Sequence, residues 1–512
     1  MTPVVRSDSS FFALSRPYWR AAGLGAVAAA ALPPVHAVPV LLFVVPALLH
    51  LLAAQDNARR AGWIGFWFGF GHHVVGLYWI TEAILIESAR FWWLVPIAVP
   101  LLAAVLAVFI AVPCIVAWHA RPGWRRVLAL AGAWVLADLA RQFFASGFPW
   151  NPWGSVWAAP FVLGDIFQQP AAYVGVHGLT LATLLLAATP TLGRRAMLGG
   201  AAALVAWAGL GLWRLDQPTM PAPGVSVVLV QGNVAQGQKW DPQIALAQFR
   251  RHLDLTREGV SRVRDGAVVV GAIVVVWPET AAGAFLLGAR PDARAAISDA
   301  AGGAPALVGS VRFDADGRPR NSMFAIQGAE PPAAVYDKWH LVPFGEYQPD
   351  WALLPIQLVP GGGFASGPGP ATMRVAGVPA VGPLICYEAI FSGQIVDAAD
   401  RPDWLVNITN DAWFGNSTGP RQHLAAARLR AVEEGLPLMR AANTGISAAF
   451  DAFGREVARL GMDQAGVLAA TMPGRLPPTL YARFGLLIPF SLAMVALAGG
   501  THRTLRRQHR NE

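Results

Sequence analysis

Long apolar runs alternate with short polar loops over the first 213 residues. Runs of spanning length lie at about 20–35, 36–54, 61–82, 91–118, 126–144, 171–190 and 196–213, and another lies at 479–499. A spanning helix needs roughly 20 apolar residues. The pattern predicts an α-helical transmembrane bundle of about eight spans, beginning with a tight hairpin of short helices around "LPP" at 32–34. The small residues at 26–37 would also suit a cleaved signal peptide, but further apolar runs follow, and we expect the segment to be retained.

The arginines indicate how these spans are oriented. They cluster before the first span and after the second, fourth, sixth and eighth, at Arg6, Arg16, Arg20, Arg59, Arg60, Arg121, Arg125, Arg126, Arg194, Arg195, Arg503, Arg506, Arg507 and Arg510. With the N-terminus inside the cell, all of these clusters are cytoplasmic, as the positive-inside rule requires. We therefore predict a seven-span region at 1–213, an extracytoplasmic domain at 214–478, and a final helix with a basic cytoplasmic tail at 479–512.

The segment 214–478 has a different pattern. Short apolar, β-rich runs at 225–232, 272–279, 304–313, 378–388 and 403–410 alternate with helical patterns at 242–263 and 421–434. Runs this apolar are typical of strands that are covered on both faces. The segment is therefore predicted to be an α/β domain with a mostly central sheet in layers.

Composition supports a membrane location and narrows the function classes. Hydrophobic residues make up 54% of the chain and charged residues 14%, with a net charge of +8, whereas soluble domains average about 25% charged residues. Topology explains the basic charge, and no basic stripe with interleaved aromatic residues indicates nucleic-acid binding. The two cysteines, Cys114 and Cys386, are far apart, which argues against a disulfide framework. No spacing indicates a metal site, and we predict no metal or cofactor.

Three chemically active residues are predicted at strand ends. Glu279 ends "VVVWPE", Lys338 lies in "YDKWHLVPFGEY", and Cys386 ends "GPLICYE". A cysteine reacts as its thiolate and needs a base or a positive neighbour. A carboxylate can accept the thiol proton, and a lysine can stabilise the oxyanion formed when a carbonyl is attacked. Together the three residue types suit acyl transfer. Taken singly, each has a structural alternative: a buried small residue for the cysteine, a helix-cap neighbour for the glutamate and a surface ion pair for the lysine.

The motifs "VVWPET" (275–280), "YDKWHLVPFGEY" (336–347) and "LICYEAIF" (384–391) resemble the three motif blocks of the nitrilase superfamily. With seven predicted spans before the nitrilase-like domain and one after it, the chain resembles the bacterial apolipoprotein N-acyltransferase family over nearly its whole length. The stretches "SGFPWNPWG" (146–154), "QGNVAQGQKW" (231–240) and "NITNDAWFG" (407–415) agree with this resemblance. It implies an αββα sandwich that carries a Glu-Lys-Cys triad.

The resemblance also implies a role for each residue. Glu279 would be the general base, Cys386 the nucleophile, and Lys338 the group that holds the oxyanion. Glu346 matches the second glutamate of the family, which supports positioning and proton transfer. Further positions on which the family relies match Trp240, Tyr387 and Glu388.

The reaction implied by the family has two half-reactions. Cys386 would take an acyl chain from a membrane phospholipid and pass it to the α-amine of the N-terminal S-diacylglyceryl cysteine of an apolipoprotein. The resemblance places such an enzyme in the bacterial inner membrane as a multi-pass protein whose catalytic domain faces the periplasm. We expect a monomer, because one chain supplies the whole site.

Two other functions are compatible with parts of the sequence. A membrane-tethered nitrilase-type amidohydrolase would use the same triad, although seven spans exceed what anchoring needs. A transporter or scaffold would not require Glu, Lys and Cys to meet, and we find no paired discontinuous helices with midplane charges. His72 and His73 lie in an aromatic span without a carboxylate or cysteine cluster, so we predict helix packing or interfacial roles for them rather than metal binding.

Overall fold

The computed structural model describes residues 9–86, 88–238, 242–267, 271–349 and 363–508. The first region is helical, with α1 (Ser9–Ala28), α2 (Leu41–Ala53), α3 (Ala58–Gly76), α4 (Ile80–Leu85), α5 (Ser88–Phe91), α6 (Val95–His119), α7 (Trp124–Phe143), α8 (Val162–Phe167), α9 (Ala171–Ala187) and α10 (Arg194–Leu215). Each apolar run predicted in this region contains a helix. After the α/β region, α14 (Leu480–Phe484) and α15 (Leu487–Gln508) follow.

Two helical segments in the described part of the chain are long and apolar enough to cross a membrane, Ser88–His119 and Arg194–Leu215. The predicted bundle of eight spans is therefore not confirmed. α2, α9 and the apolar part of α15 are shorter than a full span, and α7 carries Arg125, Arg126, Asp138 and Arg141. Only 6% of the most apolar window of α10 is buried, so α10 is not the core helix of a soluble domain.

Close helix packing holds this region together. α3 packs between α1 and α6, and α7 contacts α6, α9 and α15. At the crossing of α1 and α3, a Cβ on Gly25 would lie 1.9 Å from the carbonyl oxygen of Phe68, and one on Gly71 would lie 2.0 Å from that of Ala22. These glycines allow backbones to approach as small residues do between membrane helices. α15 thus returns the C-terminus to the N-terminal helices.

The α/β region contains two six-stranded sheets. The strands are β1 (Val225–Gln231), β2 (Ala272–Val276), β3 (Ala306–Phe313), β4 (Pro319–Ile326), β5 (Ala334–Asp337), β6 (Met373–Val375), β7 (Val378–Ile385), β8 (Trp404–Thr409), β9 (Leu438–Ala442), β10 (Ser447–Phe450), β11 (Glu456–Leu460) and β12 (Gly466–Thr471). One sheet has the order β12-β1-β2-β3-β4-β5 and the other β11-β10-β9-β8-β7-β6. β1, β2 and β3 are parallel, as are β7, β8 and β9.

The two sheets pack face to face between helices. Their inner faces share one apolar core that includes Val227, Ile385 and Val406. Outside the first sheet lie α11 (Pro242–Arg262) and α12 (Pro291–Ala300), and outside the second lies α13 (Gly419–Glu434). Strands covered on both faces explain the continuous apolar runs in the sequence. The arrangement is a four-layer αββα sandwich, as the family resemblance implies, and the single central sheet expected from the apolar runs is instead two sheets.

A buried polar contact joins the sandwich to the helical region. Gln422 of α13 accepts hydrogen bonds at Oε1 from the indole nitrogens of Trp79 (3.1 Å) and Trp150 (2.8 Å). Its Nε2 donates to the carbonyl oxygens of Pro33 and Gly76, each at 3.3 Å. One side chain of the sandwich thus satisfies groups from three separate segments of the helical region.

Candidate active site

Three strand ends bring the predicted triad to one place. Glu279 lies three residues beyond the end of β2, Lys338 directly follows β5, and Cys386 directly follows β7. Cys386 begins a short 3-10 turn with a left-handed backbone (φ +51°), a conformation that is costly for a residue with a Cβ. Its side chain lies in the core between the two sheets. The site therefore lies where the sheets meet.

A buried lysine links two carboxylates at this place. The Nζ of Lys338 lies 3.0 Å from Oε1 of Glu279 and 2.8 Å from Oε1 of Glu346, and the lysine side chain is 1% exposed. Asn321 donates from Nδ2 to the same two oxygens, at 2.7 and 3.0 Å. Two carboxylates are thus held together by one cation and one amide.

Backbone amides hold the outer oxygens of both carboxylates. The N–H of Asn410 donates to Oε2 of Glu279 (2.9 Å), and the N–H of Val342 donates to Oε2 of Glu346 (2.8 Å). Each carboxylate is therefore bound from both sides, which fixes its orientation. Glu279 is thus a fixed carboxylate rather than a rotating surface side chain.

Electrostatics keep the lysine charged and the thiol neutral. Burial alone would lower the pKa of Lys338, but the carboxylates of Glu279 and Glu346 outweigh it and raise that pKa well above its usual value. Burial and the charge of Glu279 raise the pKa of Cys386, while Lys338 and a hydrogen bond with Thr409 act in the opposite direction. At rest Cys386 is therefore a thiol, and it needs a proton acceptor before it can act as a nucleophile.

A second polar network supports the turn at Cys386 from behind. The Nε2 of His423 lies 2.9 Å from the carbonyl oxygen of Cys386 and must donate, because a carbonyl oxygen only accepts. The Nδ1 of His423 lies 3.0 Å from Oδ1 of Asp411, and Arg440 contacts both, at 2.7 Å from Asp411 Oδ2 and 3.2 Å from His423 Nδ1. The hydroxyl of Thr409 donates to Asp411 Oδ1 at 2.9 Å.

Charge excludes a cation from this network. Burial would raise the pKa of Asp411, but Arg440 and His423 lower it to about 2. Potential metal-ligand atoms of Cys386, Asp411 and His423 lie within 4.8 Å of one another. The guanidinium of Arg440 already supplies the positive charge, and both nitrogens of His423 have protein partners. These residues do not fit a metal ion.

Glu388 ties β7, which precedes Cys386, to the segment around Lys338. Its Oε1 accepts from the hydroxyl of Tyr336 (2.9 Å) and the N–H of Trp339 (2.8 Å), and its Oε2 accepts from the N–H of Ile385 (2.6 Å). Burial raises the pKa of Glu388 to about 7, against the effect of these hydrogen bonds. Glu388 thus joins the strands before Lys338 and Cys386.

Tyr387 faces the helical region instead. Its hydroxyl donates to the carbonyl oxygen of Gly147 at 2.8 Å, and its ring packs among aromatic residues from that region, including Trp150. Trp240 lies outside the described residues. His72 and His73 are buried in α3, and the indole nitrogen of Trp153 lies 3.4 Å from Nε2 of His72.

The sequence did not identify several residues that shape the site. Asp411 lies inside the motif "NITNDAWFG". This motif supported the family resemblance, but the resemblance gave no role for Asp411. No local signal pointed to Asn321, His423 or Arg440. The strands and the helix that contain these residues have no distinguishing sequence motif, and only the fold brings the residues to the site.

Known proteins resemble both regions of the chain. The family model described as the apolipoprotein N-acyltransferase N-terminal domain matches residues 24–189, and the carbon-nitrogen hydrolase model matches 229–476. Apolipoprotein N-acyltransferase from Rhodopseudomonas palustris is 38% identical over 494 residues, which are 90% of each chain. The protein of the same name from Bradyrhizobium diazoefficiens is 37% identical over 519 residues, with 95% of this chain and 94% of the relative covered.

Among solved structures, an amidase from Nesterenkonia sp. is 17% identical, with a TM-score of 0.36 over 50% of this chain and 94% of the amidase. The two full-length relatives are far closer in sequence, and both the helical and the α/β regions lie within the matched length. The chain therefore belongs to the apolipoprotein N-acyltransferase family.

Proposed function

We propose that this protein moves a fatty acyl chain from a membrane phospholipid, through a thioester on Cys386, to the α-amine of the N-terminal S-diacylglyceryl cysteine of an apolipoprotein. The observation that carries the proposal is the buried Glu279–Lys338–Glu346 cluster, of which Glu279 and Lys338 act electrostatically on the Cys386 thiol. The relatives' names supply the acceptor class.

The first half-reaction forms the acyl-enzyme. Glu279 takes the thiol proton as Sγ of Cys386 attacks the ester carbonyl of the phospholipid. Lys338 stabilises the oxyanion, since a preorganised cation acts strongly in a buried site. When the tetrahedral intermediate collapses, the ester C–O bond breaks, and the proton on Glu279 passes to the departing lysophospholipid. Glu346 keeps Lys338 charged and oriented throughout.

The second half-reaction returns the enzyme to its starting state. The neutral α-amine of the acceptor attacks the thioester carbonyl, and Glu279 takes a proton from the amine nitrogen. Collapse breaks the C–S bond, the proton returns to Sγ, and an amide is formed. Glu279 therefore acts as base and then as acid in each half, as ping-pong acyl transfer requires. Burial of Cys386 protects the thioester from hydrolysis.

The proposed site opens at the outer surface of a bilayer spanned by eight helices. Contacts between the nucleophile turn and the helical region support this placement, in particular Tyr387 to Gly147. The exposed apolar surface of α10 also favours lipid around that region. All residues assigned to the reaction come from one chain, so a monomer suffices. Both substrates are lipid-anchored, and a site at the membrane surface is where they would meet.

Intact mass spectrometry tests the proposal. We expect purified protein incubated with phospholipid, but no acceptor, to gain a hydroxylamine-sensitive acyl adduct on Cys386. Cys386→Ala should gain none, and Glu279→Gln should form it about 10²–10⁴-fold more slowly because the base is lost. Cys114→Ala should behave as the unchanged protein. Turnover of small amides without an acyl adduct would instead identify a membrane-tethered amidohydrolase and overturn the proposal.

A further inference from the structure

A cleft lies at the end of the helical region farthest from the candidate active site. Its volume is about 970 Å³, and it is bounded by α1, α2 and the first turn of α7. Tyr387 contacts Gly147, beyond the other end of α7, and a helix of this length extends about 30 Å. The cleft is therefore separate from the site at Cys386.

One end of the cleft is positively charged. Arg20 of α1, His50 of α2 and Arg126 of α7 all line it. α1 and α2 form an antiparallel hairpin, and Arg20 and His50 both lie about eight residues from its turn, on the side where α7 begins. The three basic side chains therefore gather at the same level. This level is the predicted cytoplasmic surface.

No carboxylate neutralises these arginines in the described part of the chain. The lining contains no Asp or Glu, and among the described residues no carboxylate forms an ion pair with Arg20 or Arg126. Nε of Arg126 is buried without a hydrogen-bond acceptor, while Nη2 donates only to the carbonyl oxygen of Ala120 at 3.3 Å. The N-terminus of α7 has no side-chain cap at Gly123, so its positive dipole end adds to the charge.

The other end of the cleft is apolar. From Arg20, the α1 wall continues through Leu24 to Val27, and the α2 wall continues from His50 through Pro46 to Leu42. The lining of the cleft thus changes from polar to apolar along the helix axes, toward the interior of the proposed bilayer. A ligand that matches both ends carries an anionic head and a long hydrocarbon chain.

We propose that this cleft binds an anionic phospholipid of the cytoplasmic leaflet, with its phosphate between Arg20 and Arg126 and an acyl chain along Leu24 and Val27. Basic pockets between membrane helices on the cytoplasmic side suit such headgroups. The proposal rests on the membrane embedding proposed above, but not on the acyl-transfer chemistry. The bound lipid holds α1, α2 and α7 together and is not the acyl donor.

Native mass spectrometry of the full chain tests this site in a Cys386→Ala background, where acyl transfer cannot consume the lipid. We expect dioleoyl phosphatidylglycerol to be retained and to raise the Tm, with dioleoyl phosphatidylethanolamine retained less. Arg20→Gln with Arg126→Gln should weaken phosphatidylglycerol binding about tenfold or more, since each charge contributes to attraction. The matched control, Arg121→Gln with Arg125→Gln, removes two charges from the same loop region outside the cleft and should retain the lipid.

Several outcomes would overturn the site. If the Arg20/Arg126 variant and its control retain phosphatidylglycerol equally, Arg20 and Arg126 do not bind the headgroup. If phosphatidylethanolamine is retained as well as phosphatidylglycerol, the cleft does not select an anionic lipid. Stabilisation by sn-glycerol 1-phosphate alone would indicate a small-anion site instead of a lipid site. If the double variant does not fold, Arg20→Gln, an exposed position, should still give an intermediate loss. Failure of acyl transfer in the unaltered protein would leave these results unchanged.

Discussion

The Nε2 of His423 lies 2.9 Å from the carbonyl oxygen of Cys386, so a helix outside the second sheet holds the turn at Cys386. The turn has φ +51° at Cys386, and a left-handed residue with a Cβ persists only when its surroundings impose it. Asp411 and Arg440 fix the imidazole from its other side. We therefore predict that His423 is a positioning residue that acts through the backbone of Cys386.

His423→Phe should lower kcat about 10- to 100-fold with little change in KM, because it keeps the ring volume but removes the donor to Cys386. His423→Gln, which can still donate near the Nε2 position, should recover part of the activity. The turn should also open, so iodoacetamide should alkylate Cys386 faster in a Cys114→Ala background. A purely structural role would lower Tm without changing this alkylation rate.

The control for this experiment is His252→Phe. His252 is also buried and hydrogen-bonded, to the carbonyl oxygen of Gln248, but it lies in α11 outside the other sheet. We expect a loss of stability of about 1–3 kcal/mol in either variant, and a changed rate of Cys386 alkylation only for His423→Phe. Equal alkylation rates in the two variants would argue against positioning.

Gly309 sets the place of Glu279, and adding one methyl group there should impair acylation. A Cβ at Gly309 would lie 2.2 Å from the carbonyl oxygen of Pro278 and 2.7 Å from Cα of Glu279. Gly309→Ala must therefore displace the Glu279 backbone, and a misplacement of about 1 Å can cost about 100-fold in rate. Single-turnover acylation of Cys386 measures the effect. Gly288→Ala, whose Cβ would meet nothing closer than 3.9 Å, should acylate at the normal rate.

The sequence predicted the parts of the site that carry local motifs. Glu279, Lys338 and Cys386 each lie in such a motif, but they follow β2, β5 and β7, which are not neighbouring strands, so only the fold brings them together. The apolar runs predicted strands covered on both faces of one mostly central sheet, and only the family resemblance implied a sandwich of two sheets. Asn321 was not predicted, because the local sequence does not distinguish a buried polar residue in a strand from one on the surface. Its role depends on β4 lying beside β5, which sequence periodicity does not determine.

The membrane region was predicted less completely for a different reason. Apolar runs located the helices, but run length did not determine helix length. Pro33 and Pro34 end the first run as an extended turn, and α2 begins only at Leu41. Charged residues such as Asp138 and Arg141 within α7 pair with each other in the protein interior. Hydropathy reports average polarity, whereas pairing and burial decide whether such residues are tolerated.

The stability contribution of Glu388 should fall as pH rises. Burial raises its pKa from 4.5 to about 7, so the folded protein keeps a proton that the unfolded chain releases between these values. Stability from this group is complete below about pH 4.5 and is lost as pH rises toward 7. In Tm measurements from about pH 5 to 7.5, the advantage of the unchanged protein over Glu388→Gln should therefore shrink. An advantage that grows with pH would mean that the three hydrogen bonds to Glu388 outweigh its burial.

Gln422 should be essential for the junction between the sandwich and the helical region. Gln422→Leu has a similar size but leaves the indole N–H groups of Trp79 and Trp150 without their acceptor, and an unsatisfied buried donor costs about 1–3 kcal/mol. We expect a lower Tm in detergent and slower acylation of Cys386, since Trp150 also packs near Tyr387. Gln327→Leu removes a single hydrogen bond, to the carbonyl oxygen of Ala376 at an exposed position, and should change neither. If both variants lose the same stability, the junction does not depend on Gln422, and the wider contacts of α13 with α9 hold the two regions together.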